Sequence, residues 1–286
     1  MTSTAARPSL PVWPTVRQAF ATIPAHRLSV VRIFWAWLTI AGILFALWFR
    51  ALPRIGVPPS SDFVAPGPAF FVTHVLLIVV GFLAFCSTAV AWHRLILLGE
   101  RPPAIYLGLG APVMRYLGRL LLIGLVALPI MLLCALVLSP LLFRVPPPTP
   151  FAPPSLGLLL TFSIVNLAVS VPVFLVISRL CISLPGIAIG RPMTLSEAWH
   201  STAGNTGRLL GGTLLVYVPS YAISVAIQLA TWPPKWPPSG NLPVAAPFLL
   251  ANFLVGFVAA VAAISFLSLS YRVLIGTAQV GQPEAG

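Results

Sequence analysis

The side chains best suited to chemistry in this sequence are arginines at the ends of apolar runs. Arg94, Arg179 and Arg272 each end such a run, at intervals of 85 and 93 residues. Three more arginines precede apolar runs at similar intervals: Arg32, Arg119 and Arg208. A guanidinium holds phosphate in a bidentate geometry that lysine makes less well, and Arg accounts for all but one of the 16 cationic residues. The pattern therefore predicts a site for an anion or an anionic lipid.

The same arginines also have an explanation that needs no ligand. Cations at the ends of membrane spans are retained on the cytoplasmic side and are attracted by anionic headgroups. The pattern is thus also typical of residues that only fix the topology, and both interpretations stay open.

Other reactive constellations are weak. The chain has four acidic residues, Asp62, Glu100, Glu197 and Glu284, so a pair of carboxylates around a reacting centre is not expected. The histidines lack metal-ligand spacing, and the three cysteines form no Cys-x-x-Cys pair. No Walker loop, nucleophile elbow or dinucleotide fingerprint occurs. We expect no catalytic residue, no metal and no cofactor.

The composition indicates a polytopic membrane protein. Apolar residues make up 58% and charged residues 7% of the chain, and the mean hydropathy is +1.00, far from a soluble domain with about 25% charged residues. Six apolar runs are long enough to cross a bilayer as helices: 33–49, 69–91, 120–143, 156–178, 209–231 and 245–271.

The distribution of cations predicts the orientation. Only Arg50, Arg54, Arg144 and Lys235 lie in the loops after the first, third and fifth spans, and the other 12 cations lie on the opposite side. The termini are therefore predicted to be cytoplasmic, in a bacterial inner membrane. The net charge of +12 is spread along this face, so a nucleic-acid partner is not expected.

The spans form three repeated hairpins within one membrane domain, 1–286, with units at about 12–98, 99–188 and 189–276. Helix breakers lie at matching depths in the units, at Gly42, Pro129 and Pro219. The outer loops, 51–68, 140–154 and 231–244, are rich in proline.

A short interfacial amphipathic helix is predicted before each hairpin. In the third unit, Thr194 and Glu197 have capping-box spacing and Gly204-Asn205 supplies a stop. In the first unit, Thr15 is the expected cap and Pro24 the expected end. The middle copy, 104–116, is weaker because Gly108, Gly110 and Pro112 disfavour a helix.

Polar side chains within the spans are few. His74, Asn166 and Asn252 are the main candidates, and we expect Asn166 to face a neighbouring helix because an unbonded amide in hydrocarbon is costly. No span contains Asp or Glu, which disfavours proton- or sodium-coupled transport.

The stretch from Leu184-Pro185 to Gly190-Arg191-Pro192, followed by Leu195 to Trp199, Gly204-Asn205 and Arg208, resembles six-span bacterial inner-membrane proteins of uncharacterised function. Those look like the integral-membrane domain of some bacterial glycerophosphodiester phosphodiesterases. The chain ends 14 residues after Arg272 without the catalytic domain. The resemblance therefore implies a non-catalytic membrane module that handles or senses phosphorylated lipid, or anchors partners.

Three functions are compatible with these features. The first is a non-enzymatic inner-membrane protein that binds anionic lipid, or a membrane-protein partner, at its cytoplasmic arginine-rich face. The second is a transporter or lipid flippase, because Pro129, Pro172 and Pro219 interrupt spans, as in transporter sites. The third is a scaffold that docks partners through the proline-rich outer loops.

Overall fold

A computed structural model describes residues 8–51, 67–143, 156–230 and 242–276. Within these ranges the regular structure is helical. The helices, in chain order, are α1 Val12–Ala25, α2 Arg27–Ala51, α3 Pro68–Leu98, α4 Ala111–Phe143, α5 Leu156–Leu180, α6 Ser183–Ala188, α7 Leu195–Ser201, α8 Thr206–Ala230 and α9 Leu242–Ile275.

Six helices, α2, α3, α4, α5, α8 and α9, are long and apolar enough to cross a membrane. A helix bonds all its interior backbone groups to itself, which is the requirement that hydrocarbon imposes on a spanning segment. The predicted spans fall within these helices, except that residue 231 lies outside the described residues. The protein is a multi-pass membrane protein.

Five of the long helices form a ring. Around it, α3 contacts α4, α4 contacts α5, α5 contacts α8, α8 contacts α9, and α9 contacts α3. The remaining long helix, α2, packs against the outside of α3, and its Phe34 meets Phe257 of α9 edge-on at 4.7 Å between ring centroids. The helix α1 packs against α9 and α8, so the last helix is a centre of packing.

The two ends of the bundle are packed differently. Side chains such as Trp92, Ile182 and Leu209 are fully buried at the end that carries α1, α6 and α7, which we call the arginine end. Toward the opposite end, called the loop end, large apolar side chains remain exposed even on α9, as Leu250 and Leu254 do. These surfaces match the hydrocarbon of a bilayer, in which apolar exposure carries no cost.

The short helix α7 confirms the predicted cap. The Thr194 hydroxyl accepts a bond from the Glu197 backbone N–H at 3.1 Å, and the Glu197 carboxylate accepts one from the Thr194 N–H at 2.6 Å. Hydrogen bonding of the carboxylate by the Thr194 backbone N–H and then by its hydroxyl, with a smaller contribution from Arg119, lowers the pKa of Glu197. Gly204 has a φ of +83°, which suits glycine as a stop.

The other two predicted interfacial helices differ from expectation. α1 begins at Val12 after Pro11 rather than at a Thr15 cap, and the Thr15 hydroxyl instead donates to the Pro11 carbonyl at 2.6 Å. Pro24 lies inside the helix, which ends one residue later at Ala25. Proline takes a helical φ but lacks an N–H and crowds the preceding turn, which disfavours continuation of the helix. Residues 104–110 are not helical, and the glycines there explain why.

Candidate lipid-binding site

The three run-ending arginines share one structural role at the arginine end. Each donates to a backbone carbonyl in the last turn of another helix: Arg94 to Ala188 of α6 at 3.2 Å, Arg179 to Trp199 of α7, and Arg272 to Ile96 of α3. The last carbonyls of a helix lack an intrahelical donor and carry the negative end of its dipole. These guanidiniums therefore stabilise helix ends and join elements that are distant in the sequence.

Arg94 and Arg179 make further bonds. Arg94 is bidentate to Glu100, at 2.7 and 2.8 Å. Arg179 donates to the Thr202 hydroxyl at 3.0 Å and lies over the Trp199 ring at 3.5 Å from its centroid. Much of the donor capacity of this set is thus used within the protein, and its predicted role in anion binding stays a prediction.

The other three predicted arginines are freer. Arg32 is exposed and makes no hydrogen bond to the described residues. Arg208 is exposed and donates one bond, to the Leu10 carbonyl at 3.3 Å. Arg119 is half-buried, and its Nη1 has no partner among the described residues. All six arginines lie at the arginine end. They do not form a regular ring, because α2, which carries Arg32, packs outside the ring of helices.

The charge at the arginine end is unbalanced. Eleven arginines of the described residues lie there, against Glu100 and Glu197. Both carboxylates are already engaged, Glu100 with Arg94 and Glu197 with the backbone of α7. Counterions for the remaining arginines must come from outside the described chain.

A buried polar network, which the sequence pattern did not predict, lies beneath this end. His93 is fully buried; its Nδ1 is 2.7 Å from the Ser268 hydroxyl and its Nε2 is 3.2 Å from the Tyr116 hydroxyl. The Ser268 hydroxyl donates to the Ile264 carbonyl at 2.9 Å. The two ring nitrogens of His93 and the hydroxyls of Tyr116 and Ser268 are all hydrogen-bonded if the Tyr116 hydroxyl donates to Nε2 and Nδ1–H donates to the Ser268 hydroxyl. In this arrangement the imidazole does not activate the serine, and the network joins α3, α4 and α9.

The predicted intramembrane polar residues have different surroundings. The His74 ring stacks on Phe70, 5.9 Å between ring centroids. The Asn252 amide donates to the Phe248 carbonyl of its own helix at 3.1 Å. The Asn166 side chain is exposed, lines a groove against α8 and α9, and has no partner among the described residues.

Two cavities lie among the ring helices. The central cavity, about 230 Å³, is mainly apolar and receives side chains from all five ring helices, including Phe85, Tyr116, Ile177, Leu209 and Ile264. A second space, about 250 Å³ and here called the polar groove, lies between α5, α8 and α9. Phe174 and Tyr217 line both, with their rings stacked at 5.4 Å between centroids.

Among the described ranges, no three His, Cys, Asp or Glu side chains lie close enough together to hold a metal ion. No protein-family model, curated protein or solved structure matches the chain. The arginine end and the two cavities are therefore the candidate functional regions of the described chain.

Proposed function

We propose that this chain is a non-enzymatic integral membrane protein that binds anionic lipid headgroups at its arginine end. The observation that carries the proposal is the excess of eleven arginines over two engaged glutamates in the described part of that end. A guanidinium and a lipid phosphate form charge-assisted, bidentate hydrogen bonds. Arg119 supports the proposal, since its Nη1 is buried without a protein acceptor in the described residues.

The proposal includes a bacterial inner-membrane location with both termini in the cytoplasm. Cations near span ends are retained on the cytoplasmic side, and each is worth about 1 kcal/mol near an anionic leaflet. A protein partner with an acidic surface is the alternative ligand for the same arginines.

The three-hairpin repeat is part of the proposal. Spans adjacent in the sequence are in contact, α2 with α3, α4 with α5, and α8 with α9. The second helix of each pair ends in an arginine that donates to the last turn of another helix. The resemblance to the membrane domain of phosphodiesterases acting on phosphorylated glycerol agrees with a lipid-handling module.

Native mass spectrometry of the purified full chain tests the lipid proposal. Replacing Arg32, Arg119 and Arg208 together by Gln leaves the carbonyl bonds of the other three arginines intact. We expect retained phosphatidylglycerol to fall on the order of 100-fold, as three arginines at about 1 kcal/mol each imply. Arg50→Gln, at the loop end, is the matched control and leaves retention unchanged. Equal phosphatidylglycerol in the triple variant and the parent contradicts the proposal, and loss of a co-purified protein instead favours the protein partner.

A second candidate is transport or lipid flipping, and the polar groove favours it. The groove lies between α5 and α8, both of which contain an internal proline, Pro172 and Pro219. Faster transbilayer movement of a fluorescent lipid in proteoliposomes than in protein-free vesicles is the expected result for this function. The scaffold function concerns outer loops that lie mostly outside the described residues and stays a prediction from the sequence.

A further inference from the structure

Aromatic side chains are concentrated around the central cavity. They account for five of its 17 lining residues, whereas they make up 10% of the chain. Each of the five ring helices supplies one of them: Phe85, Tyr116, Phe174, Tyr217 and Phe266. Aromatic rings pack favourably against one another in offset or edge-to-face contact. A ring-shaped ligand in this cavity therefore meets aromatic partners from every helix of the ring.

The same lining offers a ligand few polar partners. Three of its four hydroxyls are bonded within the protein, and the fourth belongs to Tyr217, which also lines the polar groove. The bonded hydroxyls are those of Tyr116, Ser178 and Thr213. No lining residue is Asp, Glu, Lys, Arg or His. A buried water needs about two to four polar partners and a buried ion needs a countercharge, so the cavity favours an uncharged, apolar occupant.

The central cavity is short. Toward the arginine end it meets Leu184 of α6, a helix whose six residues are all buried. Toward the loop end it meets the stacked rings of Phe174 and Tyr217. Its lining residues lie between Phe174 and Cys181 on α5 and between Leu209 and Tyr217 on α8, a length of about 10–12 Å at the helical rise of about 1.5 Å per residue. The hydrocarbon of one leaflet is about 15 Å thick, so an extended acyl chain is longer than the cavity.

The volume sets the size of the occupant. The cavity measures about 230 Å³. An apolar cavity of about 150 Å³, lined by Leu, Ile and Phe, stays dry and binds benzene. The larger volume here is suited to a molecule of one or two rings.

We infer that the central cavity binds a compact, uncharged, aromatic molecule of one or two rings. The aromatic lining, the bonded hydroxyls and the short length together select this class of ligand over water, an ion or an acyl chain. The inference goes beyond the proposed headgroup binding and is independent of it, because no arginine lines the cavity.

Thermal unfolding of the full chain in detergent tests the inference, with naphthalene as the probe. At about ten times its dissociation constant, naphthalene is expected to raise the unfolding midpoint of the parent by roughly 3–5 °C. Naphthalene-2-sulfonate has the same rings and a charge, and hexadecane is an extended chain. Both leave the midpoint unchanged.

Two variants locate the effect. Ala263 lines the central cavity, so Ala263→Phe fills the space that naphthalene needs and abolishes the shift of the midpoint. Ala222→Phe is the matched control, because Ala222 is exposed on α8 and lines neither cavity. Its midpoint rises with naphthalene as that of the parent does.

The native cysteines supply a second measurement in case Ala263→Phe does not fold. Cys181 lines the central cavity, whereas Cys134 lines neither cavity. In a chain whose other cysteines are replaced by alanine, naphthalene at the same concentration slows the modification of Cys181 by methyl methanethiosulfonate about tenfold, because about one site in eleven stays empty. Cys134, in its own single-cysteine chain, keeps its rate.

Three results overturn the inference. They are equal stabilisation of Ala263→Phe and the parent by naphthalene, equal effects of naphthalene and hexadecane on the parent, and an unchanged rate for Cys181. A shift in the parent and in Ala222→Phe that is lost in Ala263→Phe supports it.

Discussion

At the scale of single residues, Arg179 shows why an arginine rather than a lysine ends the run. Its side chain is only 9% exposed and contacts Thr202, the Trp199 carbonyl and the face of the Trp199 ring at once. A planar guanidinium donates in its plane while stacking through its face, whereas an ammonium cannot do both. The geometry thus explains at this position a preference for Arg that the sequence shows throughout.

We predict that Arg179→Lys destabilises the protein by about 2 kcal/mol, because a charge-assisted hydrogen bond and a cation–π contact are lost. The thermal unfolding midpoint in detergent falls by about 5 °C. Arg32→Lys is the control, since Arg32 is exposed and unbonded within the described chain, and its midpoint stays that of the parent. Equal midpoints for Arg179→Lys and the parent contradict the structural role.

At the scale of elements, the contact between α8 and α9 depends on one glycine. A Cβ atom at Gly212 lies 2.1 Å from the Phe266 ring, and Phe266 is itself buried. A Cβ atom added to the neighbouring Gly211 would have no such contact within 4 Å. The two glycines are adjacent in the sequence, but only Gly212 lacks space for a larger side chain.

Gly212→Ala is predicted to lower the free energy of unfolding by about 1–3 kcal/mol, the usual cost of overpacking. Gly211→Ala has no clash and gains up to about 1 kcal/mol in helix propensity. Thermal unfolding of the two variants under the same conditions gives the comparison. A stable Gly212→Ala variant means that the Phe266 ring moves aside and that the helices are less closely packed than described.

The sequence predicted the long helices well and their arrangement poorly. Continuous apolar runs identify spans, and Thr194 with Glu197 identified the start of α7. A helix that is apolar on all sides, however, does not show which face meets a neighbour. The position of α2 outside the ring, the central place of α9 and the polar groove could therefore not be derived. The burial of His93 could not be derived either, because its partner Ser268 lies 175 residues away in the sequence.

At the scale of the whole molecule, the structure brings both described chain ends to the arginine end. The Leu10 backbone N–H donates to Asn205 at 2.9 Å, and the Arg272 side chain donates to Ile96 in the last turn of α3. An even number of crossings requires such an arrangement, and six long apolar helices are described. The arginine distribution predicts that this end faces the cytoplasm.

Reporter fusions test the predicted side. Green fluorescent protein at either terminus is expected to fluoresce, and alkaline phosphatase at the C-terminus is expected to be inactive, because both report a cytoplasmic location. The same phosphatase inserted within 144–155 is active and serves as the positive control. An active C-terminal phosphatase means that the orientation is inverted.

The contact between α1 and α9 has a consequence for biosynthesis. Leu242, where α9 begins, lies 217 positions after Ala25, where α1 ends. At translation rates of about 5–20 residues per second, α1 waits roughly 10 to 40 s before its main neighbour leaves the ribosome. During that interval the apolar face formed by Val16 and Ala19 lacks α9, and until α8 is made it has only lipid or a chaperone to cover it. Nascent chains stalled before the last helix should therefore be cut by protease within α1, and released full-length chains should be protected.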